Sequence, residues 1–249
     1  MAGHSKWKQI KRKKAVTDQR RGAAFTKLIR EITIAAKQGG GDPAGNARLR
    51  TAIEAARAEN MPMDNIDRAV KKGTGELEGV EYQDVTYEGY GPGGAAILIE
   101  ATTDNPNRTV AEIRFLFTRH GGSLGSANSV AWMFERKAEI TVDGTADEDT
   151  VLEAALDAGA DDVQRDGDAF VVSAPVQALH AVREALRRKA LPVTTAEVAL
   201  IPRSTVRVEH KDAGSLLRLI EGIEELDDVN KVSSNFDIDA EALAAVAPE

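Results

Sequence analysis

The chain contains no cysteine. That excludes a disulfide framework, a thiolate nucleophile and a zinc-finger ligand set, and it fits a reducing cytosol. Long apolar runs are missing too: none approaches the roughly 18 residues of a membrane span. The start is basic but no apolar stretch follows it, so neither a secretory signal nor an organelle transit segment is expected. The four histidines, His4, His120, His180 and His210, lack metal-ligand spacing. No Ser-centred nucleophile elbow is present. Gly89-Tyr90-Gly91-Pro92-Gly93-Gly94 lacks the Gly-Lys-Ser/Thr of a phosphate loop and reads as a turn. These absences lead to the expectation of a cytoplasmic, non-enzymatic protein. It should have no catalytic residues, metal, cofactor or small-molecule substrate, and no membrane association.

What is present is charge, unevenly placed. Residues 1–77 hold 17 Lys and Arg against 8 Asp and Glu, a net of +9; the rest of the chain holds 15 against 32, a net of −17. The cations are densest at the start, where six of the first 14 residues are Lys or Arg and none is acidic. Charge asymmetry of this kind informs about partners rather than fold, and a basic arm on an acidic body points to a polyanion, usually nucleic acid.

Periodicity divides the chain. A long helix is expected from Thr17 to Gln38, with Phe25, Leu28, Ile29, Ile32, Ala35 and Ala36 on one face. Gly39-Gly40-Gly41 stops it, and Asp42-Pro43 reads as the next helix start. Leu49, Ile53 and Ala56 give the second helix its stripe; Ile66, Ala69 and Val70 give a short third one. Beyond Gly75 the texture is mixed. Strands 82–90 and 95–102 flank the glycine-rich turn, Asn105-Pro106 opens a helix, and Val130–Phe134 reads as a strand. Residues 138–202 then read as βαββαβ, with Thr145-Ala146-Asp147-Glu148 as a capping box. The tail adds a strand at 205–209, a helix at 212–226 and a strand at 229–236.

The fold class expected is α+β. A three-helix N-terminal domain (1–77, with the basic arm) precedes two α+β domains of ferredoxin-like, βαββαβ type. One of these (136–202) is inserted in the other (78–135 plus 203–239).

The candidate nucleic-acid contacts are Lys6, Trp7, Lys8, Lys11, Arg12, Lys13 and Lys14 in the arm, and Arg20, Arg21, Lys27, Arg30 and Lys37 on the first helix. In the arm, clustered cations would meet phosphates while Trp7 stacks on a base; the bland alternative is a solvated terminus that aids solubility. Lys27, Arg30 and Lys37 share a helix face that is either a phosphate contact or ordinary solvated surface. Lys71-Lys72 has a sufficient electrostatic reason at a helix C-terminus. Thr102-Thr103-Asp104-Asn105 reads as a contact surface or as helix capping.

Several longer words stand in a characteristic order. They are Gly3-His4-Ser5-Lys6-Trp7, Asn60-Met61-Pro62-Met63-Asp64-Asn65-Ile66, Lys71-Lys72-Gly73-Thr74-Gly75, Tyr87-Glu88-Gly89-Tyr90-Gly91-Pro92-Gly93-Gly94 and Thr103-Asp104-Asn105-Pro106-Asn107-Arg108-Thr109. With these the chain resembles the YebC/PmpR family over essentially its whole length. The resemblance implies three domains and a cytoplasmic, non-enzymatic regulator of gene expression. Members are described both as transcriptional regulators that bind DNA and as ribosome-associated factors that help translation through consecutive prolines.

Three functional classes follow: an RNA- or ribosome-binding translation factor, a DNA-binding transcriptional regulator, and a protein–protein adaptor with a basic docking arm. A mobile Lys-rich arm suits structured RNA, read through shape and phosphates, and the helical module shows no clear helix-turn-helix. The expected partner is therefore ribosomal RNA, with duplex DNA as the alternative.

Overall fold

The structure is a computed structural model that describes residues 18–238, with side chains from residue 24 onward. Three helices come first: α1 (Asp18–Gly39), α2 (Ala47–Ala58) and α3 (Met63–Thr74). Their stripes meet in one core of Ile32, Ala35, Ala36, Leu49, Ile53, Ala56, Ile66 and Ala69. Gly40 takes a left-handed φ of 83°, which ends α1. Gly73 lets α3 close on α1, because a Cβ there would run into the Thr33 carbonyl oxygen.

Helix α2 begins four residues later than Asp42-Pro43 suggests. The Asp42 carboxylate accepts the Ala44 N–H at 2.9 Å, and the Asp42 carbonyl accepts from Gly45 and Asn46. Asp42 thus closes a turn of its own, as Asx side chains do. The cap is Asn46: its Oδ1 accepts the Leu49 N–H at 3.0 Å, while its Nδ2 donates to the Ala35 and Gly40 carbonyls. One buried amide joins the end of α1 to the start of α2.

The first sheet has the order β3-β1-β2-β9. Its strands are β1 (Gln83–Tyr90), β2 (Ala96–Thr103), β3 (Ser123–Leu124) and β9 (Val229–Ser234). The β1–β2 hairpin closes through Gly91–Ala95, with Gly93 and Gly94 at φ of 73° and 77°. Helices α4 (Pro106–Arg119) and α7 (His210–Glu224) pack with it in a core of Ile97, Ile99, Ile113, Phe117, Leu216, Leu217, Ile220, Val232 and Phe236. That core draws on chain from both sides of residues 134–202. Each such side chain contributes about 1.5–3 kcal/mol relative to exposure.

The intervening residues fold as β4 (Phe134–Asp143), α5 (Glu148–Asp157), β5 (Asp162–Asp166), β6 (Ala169–Ala174), α6 (Leu179–Arg188) and β7 (Val193–Pro202). The sheet order β5-β6-β4-β7 is antiparallel throughout, the ferredoxin-like arrangement. Its core holds Ile140, Val142, Val151, Phe170, Val172, Val182 and Leu186. The fold is α+β, a helical domain followed by two α+β domains with one inserted in the other.

Several local expectations are corrected. Asp147, not Thr145, caps α5: its carboxylate accepts from both the backbone N–H and the hydroxyl of Thr150. Thr145 instead donates to Asp143. Residues 131–133 form a 3-10 turn, and the strand begins at Phe134. The 205–209 strand shrinks to β8 (Val206–Arg207), paired in parallel with β10 (Phe236–Asp237). β9 stops before Asn235, whose Oδ1 accepts the Ala96 N–H at 2.7 Å.

Candidate nucleic-acid interface

The arm residues Lys6, Trp7, Lys8, Lys11, Arg12, Lys13 and Lys14, and the side chains of Arg20 and Arg21, lie outside the described residues. The remaining three candidates project from α1 toward the acidic body. Lys27 Nζ donates to the Glu224 carbonyl at 2.6 Å. Arg30 donates to Asp228 Oδ1 at 2.6 Å and lies 5.7 Å from the Tyr82 ring centroid. Lys37 pairs with Glu81 at 3.2 Å on the exposed surface. A fourth cation, Arg48 of α2, pairs with Glu31 at 2.7 Å and with Asp84 at 2.8 Å. Phosphate contact and ordinary solvation both leave the α1 face open; in the structure, Arg30 and Lys27 close it on the body.

Asp228 is the centre of that contact. Its side chain is only 3% exposed, yet it is an ion-pair partner. Besides Arg30 it accepts from Arg108 at 2.8 Å, Thr109 at 2.6 Å and Thr103 at 3.0 Å. Burial alone would push this carboxyl up. The donors from Arg108, Thr109 and Thr103, with the Arg30 charge, outweigh burial and hold it below the usual carboxylate range. Asp84 follows the same logic, with burial opposed by Arg48 and Thr102. The Thr103–Thr109 segment is therefore both a helix cap, through Asn105, and a cage for a carboxylate.

A second buried carboxylate, Glu88, accepts the backbone N–H groups of Asn128, Val130 and Ala131 at 2.7–2.8 Å. Burial would raise it, but the three amides overcome that and hold it low. They pin the loop that leads to the exposed Trp132.

Four other cations of the helical domain are uncommitted among the described residues. The side chains of Arg57 on α2 and Arg68, Lys71 and Lys72 on α3 are exposed and make no hydrogen bond or ion pair among the described residues. Arg57 and Lys71 stand at a groove of about 430 Å³ between α2, α3 and the Gly41–Pro43 segment. Sequence reading passed over Arg57 and Arg68 and gave Lys71-Lys72 only a role at the end of α3. The signal available was the charge count itself; which cations are neutralised depends on carboxylates far along the chain.

The fold and these contacts define a class: a three-domain α+β protein whose cationic helical module is docked, through part of its charge, on an acidic body. Among the described residues no cluster of His, Asp or Glu could hold a metal ion, and no helix is long and apolar enough to cross a membrane. Residues 5–76 match the TACO1/YebC protein N-terminal domain, and residues 82–236 match the TACO1/YebC second and third domain. The chain belongs to the TACO1/YebC family. A relative from Gemmatimonas aurantiaca is 59% identical over 246 residues, covering 98% of this chain and 99% of its own. One from Chlorobium luteolum is 54% identical over 245 residues, 98% of each. Both are named probable transcriptional regulatory proteins, a description of a regulator and not of an enzyme. The crystal structure of the conserved hypothetical protein Aq1575 from Aquifex aeolicus superposes with a TM-score of 0.81 at 46% identity, over 89% of this chain and 92% of that one.

Proposed function

We propose that this protein is a non-enzymatic, nucleic-acid-binding regulator of gene expression that acts on the ribosome and eases elongation at proline-rich sequences. The observation that carries the reading is the division of charge. The helical domain and its arm are strongly basic, and Arg57, Arg68, Lys71 and Lys72 make no ion pair among the described residues although an acidic body lies beside them. Unpaired clustered cations serve a polyanion. The body's negative field keeps that contact from spreading over unrelated RNA. Structured RNA is read through shape and phosphates, which a small helical module can do without entering a duplex groove. Proline is a difficult substrate because its ring fixes φ and restricts the preceding residue. A bound protein that orients the reactants raises the rate without a catalytic side chain.

The relatives' names favour a second reading, a DNA-binding transcriptional regulator, since phosphate contacts alone carry no sequence information. A reconstituted translation reaction without transcription separates the two. The protein should speed a proline-run message and not a matched control, and replacement of Lys11, Arg12, Lys13 and Lys14 by Glu should abolish the effect. If neither message responds while a specific promoter fragment is shifted against excess competitor DNA, the transcriptional reading replaces this one.

A further inference from the structure

The groove on the helical domain combines three features that one kind of ligand satisfies together. Its open apolar surface comes from Met63, at 47% exposure, and the half-buried Val70, over a floor of the core residues Ile53 and Ile66. Arg57 and Lys71 stand in its lining without an ion pair among the described residues. Asp67 also lines it, one turn before Lys71 on α3, and its carboxylate has no partner among the described residues either. The other lining carboxylate, Glu76, already accepts the Thr74 hydroxyl at 3.0 Å. The volume, about 430 Å³, lies in the lower part of the range for small-ligand sites, roughly 300–1,000 Å³.

An aliphatic peptide segment would cover the apolar surface and leave both cations unused. A bare phosphate would engage the cations, leave the apolar surface wet and face repulsion from Asp67. A nucleotide uses all three: the ring lies on Met63 and Val70, the phosphates meet Arg57 and Lys71, and the base edge meets Asp67. An ionised carboxylate offers only acceptors, on two oxygens. Guanine alone among the four bases presents two adjacent donors, N1–H and the N2 amino group, on its Watson–Crick edge. Adenine places an acceptor, N1, beside its amino group, and uracil flanks its single N–H with two carbonyls. Single-stranded RNA is read through just such splayed bases.

We propose that this groove holds one unstacked guanine nucleotide of RNA, with Asp67 accepting from the base and Arg57 and Lys71 on the flanking phosphates. The proposal rests on the nucleic-acid reading above and names what that surface selects.

The test is a titration of the full chain, at about physiological salt, with uridine-rich RNA carrying one central guanosine, adenosine or inosine. A hydrogen bond to a charged group corresponds to at least about a tenfold difference in affinity. Guanosine should therefore bind about tenfold more tightly than adenosine, with inosine, which lacks the N2 amino group, in between. Asp67→Asn should erase the preference by bringing the adenosine strand to at least the guanosine strand's affinity, because its phosphates no longer face the Asp67 charge, while leaving the thermal midpoint unchanged. Arg57→Ala with Lys71→Ala should weaken all three strands together. Equal affinity of the unaltered protein for the three strands, or a guanosine preference that survives Asp67→Asn, overturns the groove assignment and leaves general RNA binding intact. Failure of every strand to bind overturns the RNA reading and the groove with it.

Discussion

Replacing Asp228 by Asn removes one charge and almost no volume, so it isolates what the carboxylate does in holding α1 against the body. In the native protein the buried side chain takes four donors, from Arg30, Arg108, Thr109 and Thr103, at 2.6–3.0 Å. An amide keeps one acceptor oxygen and turns an NH2 group toward at least one of those donors. Arg108 retains Asp104 at 2.8 Å and reaches solvent. Arg30, with a side chain only 13% exposed, has no second carboxylate among the described residues. Removing one partner of a buried pair costs about 3–5 kcal/mol; partial access to water at Arg108 favours the lower figure. The measurement is a double-mutant cycle by chemical denaturation with Arg30→Met, Asp228→Asn and both changes. The coupling energy should be about 1.5–3 kcal/mol, the range for a hydrogen bond to a charged group. The acid limb supplies an independent check. Because the folded carboxyl lies below its ordinary 3.8, its stabilisation is fully present above that value and is lost as pH falls from there through the lowered one. Arg30→Met should flatten that loss. A coupling energy under about 0.5 kcal/mol, as for an exposed pair, would refute the reasoning.

Three further outcomes are expected. Glu88→Ala leaves the amides of Asn128, Val130 and Ala131 without their acceptor; Val130 is buried, and an orphaned buried donor costs about 1–3 kcal/mol, so hydrogen exchange at these amides should quicken more than elsewhere in the sheet. Binding to nucleic acid should be steeply salt-dependent: about six phosphate contacts give a log–log slope of roughly −4 to −5, and deletion of residues 1–14 should flatten it while leaving the thermal midpoint nearly unchanged. Trp7→Ala should weaken RNA binding by about 1–3 kcal/mol if the indole stacks on a base, and equal affinity would leave the arm purely Coulombic.

Much of the fold was readable because it is local. The stripe of Ile32, Ala35 and Ala36 marks a helix whatever it packs against, and the alternating segments of 138–202 announce their own order. Errors gathered where two local devices compete for one stretch. Asp42-Pro43 looks like a helix start, but Asp42 turns on itself and Asn46 caps, because only the Asn amide also reaches the carbonyls of Ala35 and Gly40. Thr145 reads as the cap of a capping box, but Asp147 takes that place, its carboxylate accepting two bonds from Thr150. Val130 is apolar and β-branched, as a strand residue would be, yet its N–H is taken by Glu88. The candidate interface was readable as a quantity of charge and not as a surface.

By itself the sequence determined the elements, the fold class, and the separation of a net of +9 in residues 1–77 from a net of −17 after them, since periodicity and charge are properties of neighbouring residues. Only the tertiary structure decided which cations are spent and which are free. Arg30 and Asp228 are 198 positions apart, and Arg108 and Asp228 are 120 apart. No local pattern encodes such pairs, because they form only when packing brings α1, the start of α4 and the turn before β9 together and removes water from between them. Arg57 and Lys71 form no ion pair with any described carboxylate, not even Asp67 one turn from Lys71.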